Sequence, residues 1–361
     1  MRIVYAPLLL ATTAAALASG GFGGAAKTKK KKASAPLAEE SAAYAALRTW
    51  AVAGGANLDG VRESDGGLVA TKDIKKNAVL ATLPSDLALS LCDPDEDEAD
   101  HAACAKNYFE FKYNEQFGEY AATLPAAPPT PTAWSSDEIA SLQWPPLQEE
   151  IAARQKRIGE VASSAGLEAD AVERLAAIAA ARAYEIHLDQ SSDLSDEEKK
   201  EVEGATQMSS KVIRLLLPFL DSAKRASAPS AKVDVKDPQR DASTFVLKAQ
   251  RALVEGDAVT VGYNVGVATT ADVLLNHGSV PGERLDGSSY ADARLLAREG
   301  GVVPGDAPPS DDRAIVEDAA ASTAAREAAR MRLALKSAKT NKKHTGFFKA
   351  IQAGGRIGPG N

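Results

Sequence analysis

The chain has 361 residues, more than the ~100–200 typical of one domain, so we expect one elaborated domain with appendages or two domains. Hydrophobic residues make up 45% of the chain but aromatic residues only 5%, which predicts a core built largely from helices with small contact surfaces. The two cysteines, Cys92 and Cys104, form no CxxC pair, and no histidine lies in an HExxH spacing, so the sequence argues against a metal site and predicts ordinary reduced thiols.

Residues 1–38 have the composition of a targeting segment. An apolar run follows Arg2 and ends in Ala16-Leu17-Ala18, a small-x-small pattern typical of signal-peptide cleavage sites. A lysine-rich stretch comes next, and the first acidic residue is Glu39. This two-part order resembles the import sequences of algal plastids with secondary membranes, and simple secretion or a membrane anchor are the alternatives.

The rest of the chain is strongly acidic. Taking the six basic residues of the presequence from the total of 42 leaves 36 basic against 49 acidic residues, a net charge of −13. Because binding to nucleic acid depends on clustered Lys and Arg that neutralise phosphates, this charge argues against a general nucleic-acid binder.

The first predicted elements after the presequence are a helix and two strands. A helical pattern surrounds Trp50 and stops at Gly54-Gly55. Short strands are predicted at 68–71 and 79–83 on either side of a polar turn. The acidic run CDPDEDEAD is interpreted as a surface loop, and the proline-rich PAAPPTPTAW as an irregular connection.

Helices are predicted in the middle of the chain. A helical pattern extends from Ser136 to about Leu188, and Ser135 or Ser136 is its N-cap candidate. The segment SDLSDEEKKEVEGATQMSSKVIRLLLPFL predicts a further helix that ends at Pro218.

Strands and a last helix close the chain. Strands are predicted at 245–247 and 258–261, and one long alanine-rich helix from Ala314 to about Lys339. The order of strands, helical insert, strands and helical tail predicts an α+β fold. The basic residues near the carboxyl end of that helix could contact an acidic protein, and a solvated helix face is the alternative. They are Arg326, Arg330, Arg332, Lys336 and Lys339.

Five short segments, in this order, resemble the SET-domain protein methyltransferases, in the branch that holds the Rubisco large-subunit lysine methyltransferase and its actin-histidine-modifying relatives. They span about Trp50 to Pro281 and are GGLVATKDIKKNAVLATLPSDLALS, FGEYAATLPAAPPTPTAWSSDEIASLQWPPLQEEI, AARAYEI, LLLPFLD and ALVEGDAVTVGYNVGVATTADVLLNHGSV. Each segment is degenerate, so their joint order and spacing carry the resemblance.

The resemblance implies a fold and a domain organisation. It implies an open β fold with a pseudoknot, S-adenosylmethionine on one face and a narrow channel for the target side chain on the other. It places a SET domain at 39–282, with a helical insert at about 106–210 and a short helical tail at 283–361. The implied protein is a soluble monomer that acts on a protein substrate without a metal.

The resemblance also assigns roles to single residues. Tyr263 matches the catalytic tyrosine, with a packed strand-end tyrosine as the alternative. Arg182 matches the arginine that holds the carboxylate of the cofactor, with a solvated helix arginine as the alternative. Gly66, Gly67 and Leu68 match the loop that meets the methionine moiety, where an ordinary glycine turn is the alternative.

The match breaks at the cofactor signature. Asp221 matches its opening aspartate, but Lys224 and Arg225 occupy the places of its asparagine and histidine. Asn276-His277 cannot replace them by alignment, because the pair falls after Tyr263, where the family usually has an x-tyrosine-glycine-phenylalanine run. By that resemblance His277 replaces a tyrosine, and Ser279 replaces an aromatic residue that packs on adenine. Because Lys224 brings a positive charge toward a sulfonium ligand, electrostatics disfavours this change.

Three functions therefore stay open at the level of sequence. The first is an S-adenosylmethionine-dependent N-methyltransferase that acts on protein lysine or histidine. The second is a catalytically inactive SET scaffold that binds protein partners. The third is a hydrolase using a serine with His277 and Asp272, which has only their closeness in sequence behind it and lacks a GxSxG elbow.

Overall fold

Ten strands and nine helices are assigned in the described part of this computed structural model. The described residues are 39–91, 102, 103, 105, 115–124, 129–188, 211–236, 243–263, 268–305, 308–344, 348 and 349. The presequence, Cys92 and Cys104 lie outside them, and so do the predictions that concern them.

The strands form three sheets. They are β1 Val61–Ser64, β2 Gly67–Ala70, β3 Val79–Pro84, β4 Leu89–Ser90, β5 Tyr184–Leu188, β6 Lys211–Leu216, β7 Lys224–Arg225, β8 Ala231–Lys236, β9 Thr244–Ala249 and β10 Ala258–Val261. The sheet orders are β1-β2-β10-β7, β3-β9-β8 and β4-β6-β5. All pairs are antiparallel except β7 with β10, which run parallel.

Nine helices surround these sheets. They are α1 Ala42–Ala53, α2 Gly118–Thr123, α3 Ser136–Ala140, α4 Pro145–Ala165, α5 Ala169–Arg182, α6 Thr270–His277, α7 Tyr290–Arg298, α8 Pro309–Glu317 and α9 Thr323–Thr340. In the part of the chain described here, no helix is both long and apolar enough to cross a membrane.

Several predicted elements are confirmed. Helix α1 buries Tyr44, Leu47 and Ala51 and ends at the predicted glycine, since Gly54 is its C-cap. Helix α3 begins at the predicted cap: the Ser135 side chain accepts from Glu138 N, and the Glu138 carboxylate accepts from Ser135 N. This reciprocal arrangement is a capping box, which satisfies donors that the first helical turn leaves open. The four predicted strands correspond to β2, β3, β9 and β10.

Two predicted helices are wrong in part. The helical stretch predicted to reach Leu188 ends at Arg182, and 184–188 form β5. The described end of the helix predicted to run to Pro218 is β6. β5 and β6 pair over their whole length, with Ile186 opposite Ile213. Branched residues favour β-strands. Pairing between the two segments decides that they form strands and not helices, and a local sequence pattern does not show this pairing.

The predicted long tail helix is also wrong in part. It is divided into α8 and α9, separated by 318–322, and Ser322 caps α9 by accepting from Ala325 N. Of the basic residues predicted on a solvated face, Arg332 and Lys336 are buried. Both pair with the buried carboxylate of Asp312, at 2.7 Å for Arg332 Nη2 and 2.8 Å for Lys336 Nζ. The buried face of α9 therefore contains two cations, Arg332 and Lys336.

Helix α9 packs in a hydrophobic cluster that also contains the central helices. Met331 and Leu335 share this cluster with Trp144, Ile151 and Leu274. The Glu327 carboxylate accepts from Val280 N at 2.7 Å and fixes α9 to the segment after α6. The boundary at 282/283 stays a prediction, and so does the pseudoknot, since residues 264–267 lie outside the described part.

We predict that Asp312→Ala lowers the free energy of unfolding by about 3–5 kcal/mol, because it leaves two buried cations without their common partner. Urea unfolding followed by circular dichroism measures the change. Asp311→Ala is the matched control, since Asp311 is the exposed neighbour on α8 and its removal should change stability by no more than ~0.5 kcal/mol. Equal effects of the two changes would contradict the stabilising role of the buried group.

Candidate active site

Arg225 joins the end of α5 to the end of β10. Its guanidinium donates to the main-chain oxygens of Arg182 at 3.0 Å, Ala183 at 3.1 Å and Gly262 at 2.9 Å. It also stacks on the Tyr184 ring, with Cζ 4.5 Å from the ring centroid. The last carbonyls of a helix lack partners within the helix and carry the negative end of its dipole, so a cation is favoured there.

The Arg225 guanidinium is therefore committed to the protein itself. Burial lowers its pKa, while the polar groups of Tyr184 and Asp221 counteract this change. Arg225 also continues β7, where its main chain pairs with Val261 of β10. The residue that stands in the place of the expected histidine thus fixes the strand end that leads to Tyr263.

Arg182 and Asp221 form a buried ion pair beside this connection. Arg182 Nη1 lies 3.4 Å from Asp221 Oδ1, and Arg182 Nη2 donates to the Tyr44 hydroxyl at 3.5 Å. The Tyr120 hydroxyl donates to the other oxygen of Asp221. Burial raises the pKa of Asp221, an effect that Arg182 and Tyr120 offset only in part. Both contacts of Arg182 are long, which leaves its fork of donors able to hold a further anion.

Asp221 follows a residue with an unusual backbone conformation. Phe219 is fully buried and has φ of 73°, in the left-handed region that bulky side chains rarely adopt. Its ring packs edge-on against Tyr44 with centroids 6.2 Å apart, and Arg48 Cζ lies 4.7 Å from its centroid. Such strain costs ~1–3 kcal/mol and persists where surrounding contacts impose it, often at functional sites.

The glycine loop is the turn of the β1–β2 hairpin. Asp65 and Gly66 have φ of 52° and 69°, as a two-residue hairpin turn with positive φ at both positions requires. Gly66 N donates to the Glu63 carboxylate at 2.7 Å. At Gly66 the conformation of the turn is therefore sufficient to account for glycine.

Gly67 requires a different explanation. A Cβ atom on Gly67 would lie 2.8 Å from Lys224 Cε, so the Lys224 stem crosses directly over this glycine. Lys224 as a whole is an exposed residue. The next residue, Leu68, is buried and pairs with Val259 of β10. The glycine permits a close approach, but in this structure a lysine side chain makes it.

Tyr263 and His277 are neighbours in space. Their rings meet edge to face with centroids 5.0 Å apart, and Arg284 Cζ lies 5.6 Å from the Tyr263 centroid. Burial raises the pKa of Tyr263, and the charge of Glu283 raises it further. Burial, with a smaller contribution from Arg225, lowers the pKa of His277 to about 4. Both rings are therefore uncharged at neutral pH.

Asn276, the neighbour of His277 in sequence, belongs to a different contact. Its side-chain oxygen accepts from Arg154 Nη1 of α4 at 2.8 Å. The sequence pair Asn276-His277 is thus divided between two surroundings, as α6 directs adjacent residues to different sides.

Tyr263 lines a cleft of about 530 Å³. Its walls come from the segment after β7, which includes Ser227 and Pro229, and from Glu283, Arg284 and Tyr290. This volume is adequate for a side chain together with part of its peptide. Within the residues described, no group of three His, Cys, Asp or Glu side chains could hold a metal ion.

The structure brings the predicted residues together in two neighbouring groups. Gly67 with Lys224, and Arg182 with Asp221, form the first. Tyr263 with His277 forms the second, and Arg225 lies between the groups. The sequence reasoning missed Tyr44 and Tyr120, whose hydroxyls bind the ion pair, because aromatic residues at helical spacing give no sign that their hydroxyls are used.

Comparisons with known proteins give matches in structure alone. No protein-family model matches the sequence, and no curated protein matches it. The SET domain of LSMT bound to lysine and AdoHcy matches with a TM-score of 0.60 and 13% sequence identity, over 86% of this chain and 92% of that chain. Rubisco LSMT bound to AdoMet matches with a TM-score of 0.59 and 14% identity, over 87% of this chain and 93% of that chain.

The chain has the SET-domain fold. A third structure, Rubisco LSMT bound to sinefungin and monomethyllysine, agrees with a TM-score of 0.56 and 14% identity, over 87% of this chain and 93% of that chain. The α+β, SET-type fold predicted from the five segments is thereby confirmed. The roles of the individual site residues stay predictions.

We predict that His277 makes the protein less stable in acid. The pKa of His277 is about 4 in the folded protein and near 6.5 when unfolded, so the unfolded state binds the proton first as pH falls. Stability is complete above pH ~6.5, and up to ~3 kcal/mol is lost as pH falls to ~4. Chemical unfolding of wild type and His277→Gln across this range isolates the effect, because other groups titrate in both. Parallel pH profiles would show that His277 titrates normally.

Proposed function

We propose that this protein is an S-adenosylmethionine-dependent protein N-methyltransferase that acts on lysine. The observation that carries the proposal is the SET-domain fold, found in solved structures that hold AdoMet or AdoHcy and lysine or its methylated forms. The placement of Tyr263 at the end of β10, on a cleft, supports it. The proposed substrate is another protein, and the proposed enzyme is a monomer.

The chemistry asks the protein to prepare a neutral amine. When bound, the cofactor supplies an electrophilic methyl group on a sulfonium sulfur. A lysine with an ordinary pKa near ~10.4 is protonated at neutral pH, so the site must favour loss of that proton before the nitrogen attacks. The displacement forms an N–C bond as the C–S bond breaks and leaves a thioether.

Tyr263 suits the task of orienting the amine. Its raised pKa keeps the phenol protonated, so the hydroxyl can direct the nitrogen lone pair without carrying charge. The carboxylate of Glu283 and the cations Arg284 and Arg225 all act on Tyr263. The two cations disfavour an ammonium group and Glu283 favours it, so burial of the amine is the effect that eases loss of its proton.

The first group of residues has one candidate donor for the cofactor. Arg182, whose side chain is 11% exposed, is proposed to bind its carboxylate, and the fully buried Asp221 side chain holds Arg182 in place. Lys224 is the misfit, because its stem covers Gly67 and must move before a ligand can approach that glycine. Lys224 is an exposed residue, which distinguishes this obstacle from a buried charge.

Two alternatives are kept. Histidine in place of lysine as the target would use the same displacement on a nitrogen that is already neutral near pH 7. A SET scaffold without turnover is favoured by Arg225, whose donors are spent on main-chain oxygens instead of a ligand. For residues 1–38 we propose targeting to a plastid or to the secretory pathway.

Binding of the cofactor tests the first group. We expect AdoMet and AdoHcy to bind the wild type, and Arg182→Ala to weaken both by at least ~10-fold through loss of a charge-assisted contact. Lys224→Ala should strengthen AdoMet by about 3-fold relative to AdoHcy, since only AdoMet carries the sulfonium charge. Calorimetric titration gives all affinities, and Lys236→Ala, another exposed lysine, is the control. Absence of heat from every protein would favour the scaffold.

Transfer of a labelled methyl group tests the second group. We expect incubation of the protein with labelled AdoMet and a cell extract to yield methyl-lysine in the protein fraction. Tyr263→Phe should lower the rate about 100-fold or more because the amine loses its alignment, while AdoHcy affinity stays unchanged. Amino-acid analysis of the labelled proteins reads the product. Methyl-histidine would show that the target is histidine instead of lysine. Cofactor binding without any label would support the inactive scaffold.

A further inference from the structure

A second cavity lies in the helical part of the molecule. It has a volume of about 400 Å³ and is enclosed by α4, α5, α6 and Arg214 of β6. None of the residues proposed to bind the cofactor or to catalyse transfer is among its described lining residues. Ligand pockets commonly measure roughly 300–1,000 Å³, so the cavity is large enough for a small organic molecule.

The floor of the cavity is apolar and contains small residues. Helix α5 contributes Ala176, Ala177 and Ala180, which are buried. Buried Ile158 of α4 and Leu275 of α6 complete this surface. The alanines of α5 leave space that longer side chains would fill, and protein interiors otherwise contain few voids larger than a water molecule.

The mouth of the cavity is cationic. Arg154 and Arg157 follow each other at helical spacing on α4, with side chains 30% and 48% exposed, and Arg214 comes from the sheet. The described lining contains one carboxylate, Glu150, which pairs with Arg154 Nε at 2.9 Å. Glu160, outside the lining, lies 3.6 Å from Arg157 Nη1, so three cations meet two carboxylates here. The Thr130 and Thr132 hydroxyls, 2.9 Å apart, add neutral hydrogen-bonding groups.

The contacts of Arg154 hold this mouth in place. Its Nη1 donates to the Asn276 side chain at 2.8 Å, which connects α4 to α6 across the cavity. A guanidinium fixed in this way loses little conformational freedom when it binds an anion, since its planar fork is already oriented.

An apolar floor below a cationic mouth fits one chemical class of ligand. We propose that this cavity binds an amphipathic anion, a molecule with an apolar chain or ring and a carboxylate or sulfonate head. The head pairs with Arg154 and Arg157, and the body lies against the alanines of α5. This site is independent of the proposed methyl transfer.

The fluorescent anion 8-anilinonaphthalene-1-sulfonate tests the proposal on the folded, full-length chain. We expect saturable binding at one site, displacement by decanoate but not by decanol, and at least 10-fold weaker binding of the uncharged analogue N-phenyl-1-naphthylamine. Arg154→Gln with Arg157→Gln should weaken the sulfonate at least 10-fold. Lys156→Gln is the matched control, because Lys156 lies between them on α4, is 80% exposed and is not in the lining.

Filling the floor gives a second variant. Ala177→Phe should abolish binding by occupying the space of the ligand body, and if this variant does not fold, the change of the two arginines still decides. Unchanged sulfonate affinity in the double variant, equal affinity for the uncharged analogue, or absence of saturable binding to the wild type would each overturn the proposal. None of these results depends on whether the protein binds AdoMet.

Discussion

The arrangement of the candidate site depends on one guanidinium. Arg225 donates to main-chain oxygens at the end of α5 and at Gly262, two places more than thirty residues from it in sequence. Because the donors of its planar guanidinium point in fixed directions, they fix the distance between the end of α5 and the end of β10. Tyr263 is the next residue after Gly262, so its position follows from this connection.

Two features that cost free energy of folding lie beside the Arg225 connection. The strained backbone of Phe219 precedes the buried Asp221, whose charge Arg182 and Tyr120 meet only in part. A buried pair of this kind is weak support for stability, because desolvation consumes much of its attraction. The proposed binding of a cofactor carboxylate by Arg182 would give this pair a use beyond stability. The hydrogen bonds of Arg225 to main-chain oxygens instead favour the inactive scaffold. The choice between methyltransferase and scaffold therefore depends on neighbouring residues.

The sequence predicted what local patterns determine. The capping box at Ser135, the glycine after α1 and the strands of the two outer segments follow from side-chain chemistry within a few residues. It did not predict β5 and β6, whose identity depends on pairing with each other. The SET fold was recognisable because five short, degenerate segments occur in the expected order, although none is specific by itself.

Charge was the least predictable property. A row of basic residues on α9 indicated a solvated face, yet Arg332 and Lys336 are buried, since Asp312 on α8 meets both. Likewise, Asn276-His277 looked like one unit in sequence, but Asn276 pairs with Arg154, and His277 packs on Tyr263. Partners contributed by distant elements decide these cases, and no local pattern encodes them.

The groups around Tyr263 affect the protonation state of an amine that binds beside it. Arg225 helps to keep His277 neutral, so the rings of Tyr263 and His277 present an uncharged wall, while the charges of Arg225 and Arg284 remain nearby. An ammonium group brought against that wall loses water, which lowers its pKa; the two arginines lower it further, and the carboxylate of Glu283 opposes them. A neutral amine suffers neither penalty. The arginine that replaces the expected histidine would therefore assist deprotonation of the target by its charge, even though its hydrogen bonds serve the fold.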